Sequence, residues 1–187
     1  MIAQMRLFTG IDVPEEIVHN LERLLARLRP TARLRWSPLE NLHITTKFLG
    51  EWPEQRLDEV NTALRAVPGF APARISVRRL GFFPNPHAPR VFWAGIEASP
   101  DLAALAERTD ALLANLGVPR EDRPFSPHLT LARIQERVPL QALRETIAGL
   151  PSLDFGEFVA ERFYLYLSRR GPNGSVYTKI SEFPISK

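Results

Sequence analysis

The chain contains no cysteine. That absence removes disulfide frameworks, thiolate zinc sites, iron–sulfur clusters and cysteine nucleophiles together, and it fits a reducing compartment. No segment approaches the roughly 18 consecutive apolar residues of a membrane-spanning helix. The stretch from Met1 to Asp12 carries neither the long apolar run nor the small-residue cleavage site of a signal peptide. The expectation is a cytoplasmic protein with no membrane attachment. Lysine is scarce too, three residues against 21 arginines. Arginine's planar fork suits phosphate oxygens, but codon usage in a GC-rich genome gives the same bias, so charge alone names no partner. Histidine is limited to four residues.

What is present is ordinary in bulk. A chain of 187 residues, 44% hydrophobic and 24% charged, buries a sizeable core without metal or disulfide. Met5 to Val13 reads as a buried strand. Pro14 to Leu28 reads as a helix with Ile17, Leu21, Leu24, Leu25 and Leu28 on one face and acidic residues in its first turn. Short and longer strands follow at 34–36 and 42–49, then a helix over 53–67 ended by Pro68-Gly69, and a strand over 73–83. The order then recurs: strand 91–98, helix 100–116, strand 125–134, helix 140–150, and two final strands at 158–168 and 175–183 joined by the turn at 171–174.

The likeness between the halves reaches individual residues. Arg6-Leu-Phe-Thr-Gly-Ile-Asp12 matches the segment from Arg90 to Glu97 with one insertion. Ile11 stands as far before His43 as Ile96 stands before His128, and His43-Ile-Thr45 aligns with His128-Leu-Thr130. An internal duplication with a period of about 85 residues accounts for this. The expected architecture is α+β and bilobal, with duplicated β-α-β-α units about a pseudo-twofold axis and antiparallel sheets lining a central groove. One domain covers 1–187, with a first lobe over about 1–85 and a second over about 90–187.

Each His-x-Thr sits on a strand, where residues i and i+2 share a face. Pseudo-symmetry then sets His43 and Thr45 opposite His128 and Thr130 across the groove. Such a site suits a phosphodiester. A neutral imidazole takes a proton from water, an imidazolium protonates the leaving oxygen, and the hydroxyls hydrogen-bond the non-bridging oxygens. No metal or other cofactor is needed.

Leu42-His-Ile-Thr-Thr-Lys-Phe-Leu-Gly-Glu51 and Phe125-Ser-Pro-His-Leu-Thr-Leu-Ala-Arg133 resemble the twin motifs of the two-histidine (2H) phosphoesterase superfamily. Arg6-Leu-Phe, Arg35-Trp36, the Arg90 strand and the segment Ser168…Gly174…Tyr177 extend the resemblance over nearly the whole chain, toward its bacterial RNA 2′,3′-cyclic phosphodiesterase (2′-5′ RNA ligase-like) branch. The resemblance implies hydrolysis of RNA 2′,3′-cyclic phosphate ends to 2′-phosphate ends, with His43 as proton donor to O3′ and His128 as acceptor from water. It leaves 2′-5′ ligation or a small cyclic nucleotide as alternatives, with a non-catalytic RNA-binding protein as a third. A monomer is expected, since one chain closes its own groove.

Further candidates surround the motifs. Arg133 alternates onto the face opposite His128 unless a bulge intervenes, and is either a phosphate contact or a structural ion pair. Lys47 shares the alternation of His43 and Thr45, which suggests contact with RNA backbone or a solvated rim position. Phe48 and Trp52, with Phe82 and Phe83, are candidate stacking surfaces for a base. His87 and His19 read as solvent-facing.

Overall fold

The computed structural model describes residues 3–172 and 174–187; of the turn expected at 171–174, Asn173 lies outside them. Strand β1 (Gln4–Asp12) leads into helix α1 (Glu15–Leu28), whose buried residues are the five apolar positions that 3.6-residue periodicity selects. The short strand β2 (Arg35–Trp36), β3 (His43–Pro53), α2 (Leu57–Arg65) and β4 (Ala73–Phe83) complete the first sequence half. The second holds β5 (Val91–Ala98), α3 (Pro100–Ala114), β6 (His128–Arg133), α4 (Gln141–Ala148), β7 (Asp154–Ala160), β8 (Arg162–Gly171) and β9 (Gly174–Pro184).

The strands form one curled antiparallel sheet in the order β7-β4-β5-β6-β3-β1-β8-β9, with β2 added beside β6. Its midpoint is the junction of β3 and β6, where Ile44 opposes Leu129. The order reads symmetrically outward from there: β3 and β6, then β1 and β5, then β8 and β4. Strand β4 pairs with β5 and β7, while β8 pairs with β1. The lobes are therefore not divided near residue 85 as expected. Each sequence half lends its last strands to the other, so the division is in the sheet and not in the chain. The single strand expected over 158–168 is two, because the chain leaves β4 after Ala160 and starts β8 at Arg162 on the far side of the sheet.

Helices cover one face only, α1 against α4 and α2 against α3, again across the two halves. Leu21, Leu28, Val60, Leu64, Leu102, Leu105 and Leu143 are buried beneath them against Ile44, Phe92 and Leu129. The other face of the sheet is left open for the histidines. Close strand approach on it depends on glycine: a Cβ at Gly10 would stand 2.8 Å from the Ile44 carbonyl oxygen, and one at Gly81 would stand 2.2 Å from the Trp93 ring.

Candidate active site

Two bulges at matching places build the site. In β3, Thr9 opposes Lys47 and Gly10 opposes Thr45, so Thr46 is an extra residue. In β6, Phe92 opposes Ala132 and Trp93 opposes Thr130, so Leu131 is the extra one. A bulge shifts the alternation of everything beyond it. His43, Thr45, His128 and Thr130 therefore face the groove by simple alternation, and Phe48 and Arg133 join them because of the bulges. The bulges are pinned from behind: the Thr9 and Thr46 hydroxyls lie 2.7 Å apart, and the Ser37 hydroxyl and amide donate to the Thr130 and Leu131 carbonyls, each at 2.8 Å.

The histidines are held alike. Nδ1 of His43 lies 2.7 Å from the Asn41 carbonyl, and Nδ1 of His128 lies 2.8 Å from that of Ser126, in each case two residues upstream. A carbonyl only accepts, so both Nδ1 atoms carry a proton. This leaves each Nε2 as either a lone pair or an N–H, the two states of a general base and a general acid. Nε2 of His43 lies 2.9 Å from the Thr45 hydroxyl, which donates to the neutral ring and accepts from the charged one. With Ile44 opposite Leu129, His43 and His128 are diagonal neighbours on one face. Such residues are about 7–8 Å apart, their Cβ atoms somewhat less, which leaves room for a phosphoryl group between the rings.

Burial is the main cause that lowers the pKa of His43 below its ordinary 6.5; the nearby charges of His128 and Arg133 lower it further. The Asn41 hydrogen bond and Asp12 oppose these effects in part. Phe8 packs on His43 at 4.6 Å between ring centroids, stacked on Tyr166 and edged by Tyr177. On the other side Phe83 meets the His128 ring edge-on at 5.0 Å and packs on Trp93.

Two expected contacts are corrected. Lys47 lies beyond the β3 bulge and points away from the groove, 3% exposed; its Nζ donates to Asp110 at 2.7 Å, to the Pro119 carbonyl at 2.6 Å and to Glu121 at 3.4 Å. Trp52 is also core. Its Nε1 donates to the Arg56 carbonyl at 3.0 Å and the Arg56 guanidinium covers its ring, so it offers no stacking face. Phe48, by contrast, is 57% exposed and stands beside Phe8. Phe82 packs on core Phe92. His19 and His87 are solvent-facing. Among the described residues no group of three or more His, Cys, Asp or Glu is arranged to hold a metal ion.

The duplication and the paired motifs are matched by a known family. Its description, LigT like phosphoesterase, fits this chain twice, over residues 11–93 and again over 96–177, one motif in each copy. The chain belongs to the LigT like phosphoesterase family. It is 36% identical over 182 residues to an RNA 2′,3′-cyclic phosphodiesterase of Methanocaldococcus jannaschii, covering 96% of this chain and all of that one. A Thermus thermophilus protein of the same name is 36% identical, covering 97% of this chain and 90% of the other. With archaeal and bacterial relatives alike, the likeness is wider than a bacterial branch. Among solved structures, TT0787 of Thermus thermophilus matches with a TM-score of 0.82 at 34% identity, covering 97% and 98% of the two chains. E. coli LigT complexed with 3′-AMP matches with a TM-score of 0.81 at 25% identity, covering 99% and 100%.

Several residues of this LigT-like groove escaped the sequence reading. Phe8 and Trp93 occupy matching places in the two repeats, a signal the alignment of the halves already contained. Tyr166 and Tyr177 come from β8 and β9, whose return beside β1 is a matter of topology that local patterning does not encode.

Proposed function

We propose that this protein hydrolyses the 2′,3′-cyclic phosphate end of RNA to a 2′-phosphate, using His43 and His128 as its acid and base and no metal. The observation that carries the reading is the matched pair of imidazoles, each held by a carbonyl at Nδ1 and presenting Nε2 to one groove. The names and full-length similarity of the relatives supply the substrate class.

In the proposed step Nε2 of His128 takes a proton from water. The water oxygen bonds to phosphorus as the P–O3′ bond breaks, and O3′ takes the proton from Nε2 of His43. Thr45, Thr130 and the Arg133 guanidinium donate to the non-bridging oxygens, where charge grows. Phe48 offers its exposed ring to a base. His43 must be protonated for this role, against its lowered pKa in the free protein. The anionic phosphodiester answers that: set between His43 and Arg133, it offsets their repulsion and favours the imidazolium. All these groups come from one chain, which supports a monomer. No helix among the described residues is long and apolar enough to cross a membrane; with the lack of cysteine, this supports work in the cytoplasm.

The test is an RNA oligonucleotide ending in a 2′,3′-cyclic phosphate, incubated with enzyme and EDTA, with product ends identified by mass and phosphatase sensitivity. Conversion to a 2′-phosphate is the expected result. A 3′-phosphate product, or activity abolished by EDTA, contradicts the reading.

A further inference from the structure

The two histidines are held alike at Nδ1 but anchored differently behind it. The carbonyl that accepts from His43 belongs to Asn41, the last residue of a 3₁₀ turn over Leu39–Asn41. The turn's own hydrogen bonds go to the Pro38 and Leu39 carbonyls, which leaves the Asn41 carbonyl for the imidazole. A single 3₁₀ turn is a weak support, because its hydrogen bonds are poorly aligned. The support comes from elsewhere. The Asn41 side-chain amide donates to the Ser175 carbonyl at 2.6 Å, across 134 residues of chain. In the second repeat Ser126 takes the place of Asn41, and its carbonyl holds His128. Ser126 is exposed, and its hydroxyl has no hydrogen-bond partner among the described residues.

Ser175 lies on β9, the outermost strand of the sheet order. The β8–β9 hairpin folds back over the open face to reach the groove, as two further contacts show. Tyr177 meets the His43 ring edge-on at 5.1 Å. A Cβ on Gly174 would stand 3.5 Å from the Arg35 guanidinium on β2. Strand β9 thus reaches His43 twice, once at its ring and once through the carbonyl at Nδ1. The second contact bears on the chemistry. A carbonyl that accepts from Nδ1 fixes the rotation of the ring and favours the imidazolium over the neutral form. Burial lowers the His43 pKa most, and the Asn41 hydrogen bond is the strongest influence against it.

We propose that Asn41 is a positioning residue for the acid, its side chain tying the carbonyl at Nδ1 of His43 to β9. The proposal rests on the acid–base reading above and extends it. A proton donor must keep Nε2 aimed at O3′ while the P–O3′ bond breaks, and a misplacement of about 1 Å costs about a hundredfold in rate. The base has the looser mount, since a water molecule adjusts its own position to meet it.

The experiment uses Asn41→Ala and Asn41→Ser, the second giving the first repeat the residue found in the other. Both exchange one uncharged side chain for another. The titratable groups that face His43 therefore stay: Asp12 on β1, Glu40 in the turn, and His128 and Arg133 on β6. Tyr166 on β8 stays as well, with Tyr177 and Lys179 on β9, the last paired with Asp12. The Nδ1 proton of each histidine is followed by NMR on protein carrying nitrogen-labelled histidine. In both variants the His43 ring proton is expected to exchange at least about tenfold faster than in wild type, with that of His128 unchanged. On cyclic-phosphate RNA, kcat falls at least about tenfold with KM within about twofold. The alkaline limb of kcat/KM moves to lower pH, because a weaker hydrogen bond at Nδ1 favours the neutral ring. A lower melting temperature with the ring proton and the alkaline limb unmoved overturns the proposal and leaves Asn41 a purely structural residue. Equal changes at both histidines also overturn it, since the groove has then loosened as a whole. Turnover by His43→Ala is measured alongside. Activity kept there sinks the acid–base reading, whatever the His43 ring proton does in the Asn41 variants.

Discussion

Lys47 offers the sharpest contrast between what alternation suggests and what the bulge does. Its ammonium has three acceptors, Asp110, the Pro119 carbonyl and Glu121, and almost no contact with water. Asp110 also binds Arg120 at 2.7 Å and accepts from the Glu121 amide at 3.2 Å. Together these fix the segment that leads to Ser126 and His128 against the strand that carries His43. In Lys47→Met the shape is kept, but Asp110 stays buried with only the half-exposed Arg120 to balance it. Removing one partner of a buried pair costs about 3–5 kcal/mol. At 2–4 °C per kcal/mol for a chain of this size, the melting temperature falls by roughly 6–20 °C. Chemical denaturation gives the free energy, and Lys47→Met/Asp110→Leu recovers part of it, because the stranded carboxylate is gone. RNA binding by the folded variant keeps the wild-type salt dependence. A phosphate contact would instead lower the slope of log affinity against log salt by about 0.7 for a single strand. A loss below about 1 kcal/mol, or a shallower salt slope, refutes the buried-clamp account.

Four further outcomes are expected. Phe48→Ala leaves stability within about 0.5 kcal/mol but weakens RNA binding by about 1–3 kcal/mol through lost stacking, read by fluorescence titration. Because the pKa of His43 is lowered in the folded protein, the unfolded chain binds more protons near that pKa, so folding stability is lost as pH falls through 6.5. Denaturation from about pH 7.5 down to about pH 5 shows wild type losing stability relative to His43→Asn. With His43 as the acid, the alkaline limb of kcat/KM, which reports free enzyme, falls below 6.5, while that of kcat lies higher because bound phosphate restores the proton. Arg133→Met removes one of the charges that lower the His43 pKa, so its kcat/KM limb moves to higher pH even as turnover drops.

Much of this was legible in the residues. The stripe of α1, the two His-x-Thr strands and their spacing within the repeat are local patterns, and the paired imidazoles follow from them. What escaped is non-local or depends on a one-residue irregularity. The Thr46 bulge turned Lys47 inward, and the Leu131 bulge turned Arg133 toward the groove. Nothing in the side chains of Thr46 or Leu131 announces a bulge. A strand ending at residue 49 leaves Trp52 outside it, yet β3 continues to Pro53 and takes the ring into the core. The exchange of β4 and β8 between the halves is set by packing across the whole sheet, which no window of sequence reports.

The central claim is that His43 and His128 work as one acid–base unit. The direct measurement is the single-turnover rate on cyclic-phosphate RNA for wild type, His43→Ala, His128→Ala and the double variant. Groups acting as a unit are far from additive. The account predicts that either single substitution lowers the rate by at least about a hundredfold and that the double variant loses little more. A single variant within about tenfold of wild type, or losses that simply multiply, contradicts it.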